Sequence, residues 1–148
     1  MIDLEKVELK NGYIRIKRIP IWKAKKSFMD IDELENIDSR EKALEFVKAN
    51  LKRLEAIVEF VESSREKIGR VMIEAGVKSA TRKKTLTDEA FIDSMDIGDI
   101  GIDCSEFPDM TRFLIEITFD PDWFGGHRKY IGVEADGQIR SLKCPTHF

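Results

Sequence analysis

Apolar residues recur at helical spacing along one stretch longer than a compact domain accommodates. Leu44, Val47, Leu51, Leu54, Val58, Val61, Ile68, Met72 and Ala75 step by three and four, and only Arg65 interrupts the seam. An unbroken helix from Arg40 to Ala75 would be about 54 Å long at 1.5 Å per residue. The radius of gyration expected for a domain of this length is only about 15 Å. Either the helix breaks or it projects and pairs with a second copy along a heptad-like seam. Ser63-x-x-Glu66 is a capping-box pattern in mid-run, so a break near Ser63-Ser64 is expected. Ser39 caps the start, and Gly76 is a natural stop.

The flanks read as strands. Asn11-Gly12 suits a type I′ turn, which sets Val7 opposite Ile16 and Leu9 opposite Ile14 on one face, with Glu8 opposite Arg15 on the other. The second strand ends at Ile19-Pro20-Ile21-Trp22, the basic stretch Lys23 to Lys26 reads as a loop, and residues 29–37 read as a short helix. Thr87 caps another short helix running to Met95, with Asp88 and Glu89 in its first turn. Beyond it the chain reads as a β-meander. Ile97, Ile100 and Ile102 lie among glycines, and Phe113, Ile115, Ile117 and Phe119 alternate strictly. A strand from Arg128 to Glu134 and another from Gln138 to Leu142 follow, joined by Ala135-Asp136-Gly137, with Val133 opposite Ile139.

The expected architecture is one α+β domain over residues 1–148. An antiparallel sheet, made of the N-terminal hairpin and the C-terminal meander, packs against the long, kinked helix. Its core includes Leu44, Val47, Leu51, Leu54, Val58, Phe113, Ile115, Ile117 and Phe119. No apolar run approaches the ~20 residues of a membrane span, and Met1 to Lys6 has no signal-peptide core. Two cysteines, Cys104 and Cys144, are too few for a disulfide framework, so a reduced, cytoplasmic protein is the expectation.

Charge is unevenly distributed. The net charge of −3 conceals 20 Lys/Arg against 15 Asp/Glu in residues 1–85 and 5 against 13 in residues 86–148. Between Lys84 and Arg112 there is no cation, while Asp88, Glu89, Asp93, Asp96, Asp99, Asp103, Glu106 and Asp109 are all acidic. Such asymmetry bears on partners rather than on fold. The basic runs Lys23-Lys25-Lys26 and Arg82-Lys83-Lys84 lack interleaved aromatics, so nucleic-acid binding is not expected.

Catalytic signals are sparse. The sequence has no Gly-x-Ser-x-Gly elbow and no glycine-rich loop opening a helix. Cys144-x-x-His147, with Cys104 and His127, has metal-ligand spacing but lacks a second knuckle, so no metal or other cofactor is expected. Asp93, Asp96, Asp99 and Asp103 lack EF-hand spacing. Glu116 sits on the best-patterned strand, on its polar face. The segment Asp120-Pro121-Asp122-Trp123-Phe124-Gly125-Gly126-His127 gathers two aromatics, two glycines and a histidine between strands. It reads either as a plug for the core or as an aromatic hot spot for a partner.

Three pieces of the chain carry a resemblance: Arg40–Gly76, the acidic-Trp-x-x-Gly-His corner within Phe119–His127, and the Asp-Gly hairpin within Val133–Ile139. Together they resemble a group of small bacterial domains of immunity-protein-like character. The resemblance implies binding rather than catalysis, with a toxin as partner. The combined expectation is a non-enzymatic protein-binding domain. Asp96, Asp99 and Asp103 form its docking face for a basic partner, and Trp123, Phe124 and His127 are further contacts. The competing reading is a small hydrolase or metal enzyme centred on His127 with Asp120, Asp122 or Glu116.

Overall fold

The structure, a computed structural model, describes residues 1–22, 24–105 and 109–143, with the backbone alone at residues 25 and 26. The strands are β1 (Val7–Lys10), β2 (Tyr13–Ile21), β3 (Ala24–Asp32), β4 (Met95–Asp103), β5 (Phe113–Phe119), β6 (Lys129–Val133) and β7 (Ile139–Leu142). The helices are α1 (Arg40–Ala49), α2 (Leu51–Ser63), α3 (Arg65–Glu74) and α4 (Asp88–Ser94). All seven strands join one sheet in chain order. Every neighbouring pair is antiparallel except β3 and β4, which run parallel. A parallel pair needs a long crossover, and residues 33–94 supply it, carrying all four helices.

The expected antiparallel sheet under one long helix is therefore wrong on both counts. The sheet is mixed, and the missing element is β3. Its backbone begins inside the stretch read as a basic loop, and it ends inside the stretch read as a short helix. Ser27, Met29 and Ile31 point into the core, while Phe28 and Asp30 are half-buried on the other side. That is a period of two, masked in the sequence by a serine at a core position. The Ser27 hydroxyl donates to the Ile97 carbonyl at 3.4 Å, which satisfies it without water.

The helical run divides twice. Asn50 leaves helical geometry at φ −113°, ψ 14° and its side-chain amide donates to the Phe46 carbonyl at 2.9 Å. Ser64 departs similarly at φ −103°, ψ 11°, within the break expected there. These interruptions rotate the apolar stripe. Ala43, Val47, Leu54, Ile57, Val58, Val61, Ile68 and Met72 are buried, whereas Leu44 and Leu51, both expected in the core, are half-buried at its margin. Arg65 interrupts the seam because it closes the α4–β4 junction. Its Nη2 donates to the Asp93 and Met95 carbonyls at 3.1 and 2.8 Å. Helix α3 ends in a Schellman motif, with Val77 N–H on the Met72 carbonyl, Gly76 N–H on the Ile73 carbonyl, and Gly76 at φ 87°.

The first hairpin has the register read from the sequence, Val7–Ile16, Glu8–Arg15 and Leu9–Ile14. Val133 pairs with Ile139 as expected. Phe113, Ile115, Ile117 and Phe119 all enter the core from β5. Complete burial of a side chain such as Phe91, Leu54 or Ile57 contributes roughly 1.5–3 kcal/mol each. Among the described residues no helix is long and apolar enough to cross a membrane.

Candidate functional site

The helices and the sheet share a single buried cluster, so one face of the sheet is spent on the core. The other face is built from the alternate strand positions. Tyr13, Arg15, Phe28, Asp30, Asp96, Asp99, Leu114, Glu116 and Tyr130 stand there, half-buried rather than buried. Antiparallel and parallel pairing both keep opposed residues on one face, so strand register determines which side chains meet. One row across the sheet reads Phe28, Asp99, Glu116, Tyr130 and Leu142; the next reads Arg15, Asp30, Gly101, Leu114, Gly132 and Arg140.

Carboxyl groups concentrate where β3, β4 and β5 adjoin. Asp99 lies opposite Glu116 and hydrogen-bonds it. Burial pushes the Asp99 carboxyl up to about 8, with the Glu116 hydrogen bond and the charges of Glu116 and Asp30 acting in the same direction and Arg128 opposing them. Asp32 lies opposite Asp103, and burial, followed by Asp30, Asp103 and Glu33, raises its carboxyl as well. Two guanidinium groups stand beside this cluster. Arg15 forms a two-pronged pair with Asp30 at 2.8 and 3.0 Å while lying 3.9 Å from the Phe28 ring centre. Arg128 pairs with Glu116 from the rim, where its own side chain is 49% exposed.

The acidic run therefore does not form one surface. Asp88 pairs with Lys78 and Arg70, Glu89 with Arg70, and Asp93 lies 3.9 Å from Arg65, so the acids of α4 are answered by the basic half of the chain. Asp109 closes a local turn by accepting from Thr111. Asp96, Asp99 and Asp103 share the open sheet face, where Asp103 is exposed, Asp96 and Asp99 are half-buried, and each has a local partner. Asp96 accepts from the Ile97 N–H at 2.9 Å, Asp103 from the Ser105 hydroxyl at 2.7 Å, and Asp99 is held by Glu116. Sequence reasoning placed Arg15 on the polar face of the first hairpin but missed Asp30, and with it the link from Arg15 to the acids, because it missed β3. Glu116 was legible from its strand alone.

Trp123 and Phe124 lie at the end of the core. The Trp123 indole donates to Ser94 Oγ at 2.8 Å, and Phe124 packs edge-on against Phe119 with ring centres 4.9 Å apart. Asp122 is spent on the turn, accepting from the Phe124 and Gly126 N–H groups at 3.0 and 2.6 Å. His127 is exposed on that loop, and Glu116 faces Asp99 and Arg128 instead. Among the described residues no hydrogen bond or ion pair joins the His127 side chain to Asp120, Asp122 or Glu116. Cys144 and His147 lie outside the described residues. Cys104 is buried, its thiol pushed up to about 11 by burial and by Asp103 and Asp32, which suppresses thiolate chemistry near neutral pH. Among the described residues no group of three or more His, Cys, Asp or Glu side chains is arranged to hold a metal ion.

Comparison of the chain with protein-family models, with curated proteins and with solved structures finds no match.

Proposed function

We propose that this is a non-enzymatic protein-binding domain that docks a basic partner on the open face of its sheet. The observation that carries the reading is the gathering of Asp30, Asp32, Asp96, Asp99, Asp103 and Glu116 on that face, with Arg15 and Arg128 the cations set among them. Like charges opposed across strands weaken a sheet, and a carboxyl raised toward neutrality marks a place where the fold holds an unfavourable charge arrangement. A cationic surface laid on this face relieves that repulsion and is steered to it from a distance. The immunity-protein-like resemblance supports a toxin as the partner, since toxins that cut nucleic acid present cationic sites that an acidic face can imitate.

The test is association kinetics with the protein encoded beside this one, at low and high salt. Replacing Asp96, Asp99 and Asp103 together by Asn slows association and flattens its salt dependence. Unchanged rates in the triple variant, with a partner that binds the wild type, overturn the reading.

A further inference from the structure

A charged feature of the opposite sign lies away from the sheet face, in the segment that joins α3 to α4. Lys78, Ser79, Arg82, Lys83, Lys84 and Leu86 line a cavity of about 280 Å³. Lys78 is paired with Asp88 at 2.8 Å, and Asp88 is shared with Arg70. Arg82, Lys83 and Lys84 are exposed, and among the described residues no carboxylate stands within ion-pair distance of any of them. The whole chain has 28 acidic residues against 25 basic ones. Three adjacent cations left without a counter-charge around one cavity are a local excess that repels itself, and folding alone gives no reason for it.

The backbone that carries these cations is fixed by its own hydrogen bonds. Thr81 Oγ1 donates to the Lys78 carbonyl at 2.7 Å and accepts from the Lys83 N–H at 3.2 Å. The Arg82 N–H reaches the Ser79 carbonyl at 3.2 Å, the Leu86 N–H reaches the Lys83 carbonyl at 3.0 Å, and Leu86 packs against the core. Arg82 takes left-handed backbone at φ 56°, ψ 20°. Glycine or asparagine adopts that conformation most readily, so arginine is held there at a cost in stability.

We propose that this cavity binds a small polyphosphate, a short chain of phosphoryl groups that is either free or the tail of a nucleotide. The site goes beyond the docking reading and does not depend on it, because none of its residues stands on the open sheet face. The Arg82 guanidinium matches two phosphoryl oxygens as a planar fork, Lys83 and Lys84 supply point charges, and Ser79 offers a hydroxyl donor. The volume lies at the small end of ligand sites, which run from about 300 to 1,000 Å³. Leu86 is the one apolar residue among the described residues that line it, so the cavity recognises charge rather than an apolar body. A compact, multiply charged anion meets both conditions and engages several cations at once. A nucleic-acid strand calls for stacking aromatics, and the described lining has none.

The probe is inorganic triphosphate, titrated calorimetrically into the intact domain at low salt beside orthophosphate, ATP and a short oligothymidylate. Triphosphate is expected to bind at one site, about tenfold or more tighter than orthophosphate. Arg82→Gly removes the fork and suits the left-handed backbone, so the fold is kept, as urea unfolding verifies, while triphosphate binding weakens about tenfold or more. Lys83→Gln combined with Lys84→Gln weakens it similarly without touching the strained position. Lys48→Gln combined with Lys52→Gln, which removes two exposed lysines of α1 and α2, leaves it unchanged. ATP binding tighter than triphosphate assigns the site to a nucleotide tail, and equal or weaker binding assigns it to free polyphosphate. Absence of triphosphate binding, equal affinity for orthophosphate, or indifference to both the Arg82 and the Lys83/Lys84 variants overturns the site. So does an equal loss in the Lys48/Lys52 variant, which means diffuse attraction, or tighter binding of oligothymidylate than of triphosphate, which means a nucleic-acid surface. Each of these outcomes leaves the docking face standing.

Discussion

Asp99 and Glu116 stand opposite each other on β4 and β5, hydrogen-bonded side chain to side chain on the face of the sheet away from the helix-packed core. Two acids held together at the middle of a seven-stranded sheet make the domain's stability depend on pH in an unusual direction.

The ordinary Asp99 carboxyl titrates near 3.8, and in the folded domain it titrates near 8. Between those values the folded chain keeps a proton that the unfolded chain has lost, so this contribution is complete below about pH 4 and disappears as pH rises through about 8. Asp32, raised in the same direction, adds to the trend. Urea unfolding at pH 6 and pH 9 shows the wild type losing stability with rising pH. Asp99→Asn reduces the slope and is the more stable of the two at pH 9. A slope identical in wild type and variant contradicts the assignment.

Helix α3 approaches α4 closely at Gly69. A Cβ there would lie 2.4 Å from Ile92 Cγ1 and 3.3 Å from Met95 Sδ. Gly69→Ala gains helix propensity of about 1 kcal/mol, but overpacking costs about 1–3 kcal/mol. Net destabilisation is expected in urea unfolding. In an Ile92→Ala background the same substitution becomes neutral or stabilising, because the closest clashing atoms are gone and the flexible Met95 side chain has only to give by a few tenths of an ångström.

Trp123→Phe removes the donor to Ser94, a residue only 3% exposed. The loss is about 1–3 kcal/mol of folding stability. The association rate with a basic partner stays unchanged, because the indole closes the core rather than the docking face. A variant of full stability that associates more slowly would return Trp123 to the interface.

Much of the local structure was legible because it is set by neighbours in sequence. Asn11-Gly12 with positive φ at both residues, Ser39 accepting from Lys42, Thr87 accepting from Ala90 and Gly76 in the left-handed region each report a local backbone requirement. What escaped is non-local. Ser27 reads as polar until Ile97 supplies its acceptor, so β3 was lost, and with it the parallel pairing that joins the two halves of the sheet. The candidate site followed the same division. Asp96, Asp99 and Asp103 were visible as acids on one strand. Their neighbours Asp30 and Arg15 reach them only through β3. The partners that remove Asp88 and Glu89 from the acidic surface, Arg70 and Lys78, sit on or just beyond another helix.

A second acidic surface offers the sharpest alternative. Glu55, Glu59 and Glu62 on α2 line a shallow cavity with Val58, Pro20 and Met1 on the helical side of the molecule. The most direct measurement is therefore a map of backbone amide shifts in the intact domain as hexa-arginine is added at low salt. The account predicts the largest changes at Asp30, from Asp99 to Asp103, and from Leu114 to Thr118. Changes confined to residues 55–62, with the amides of β3, β4 and β5 unmoved, would contradict it.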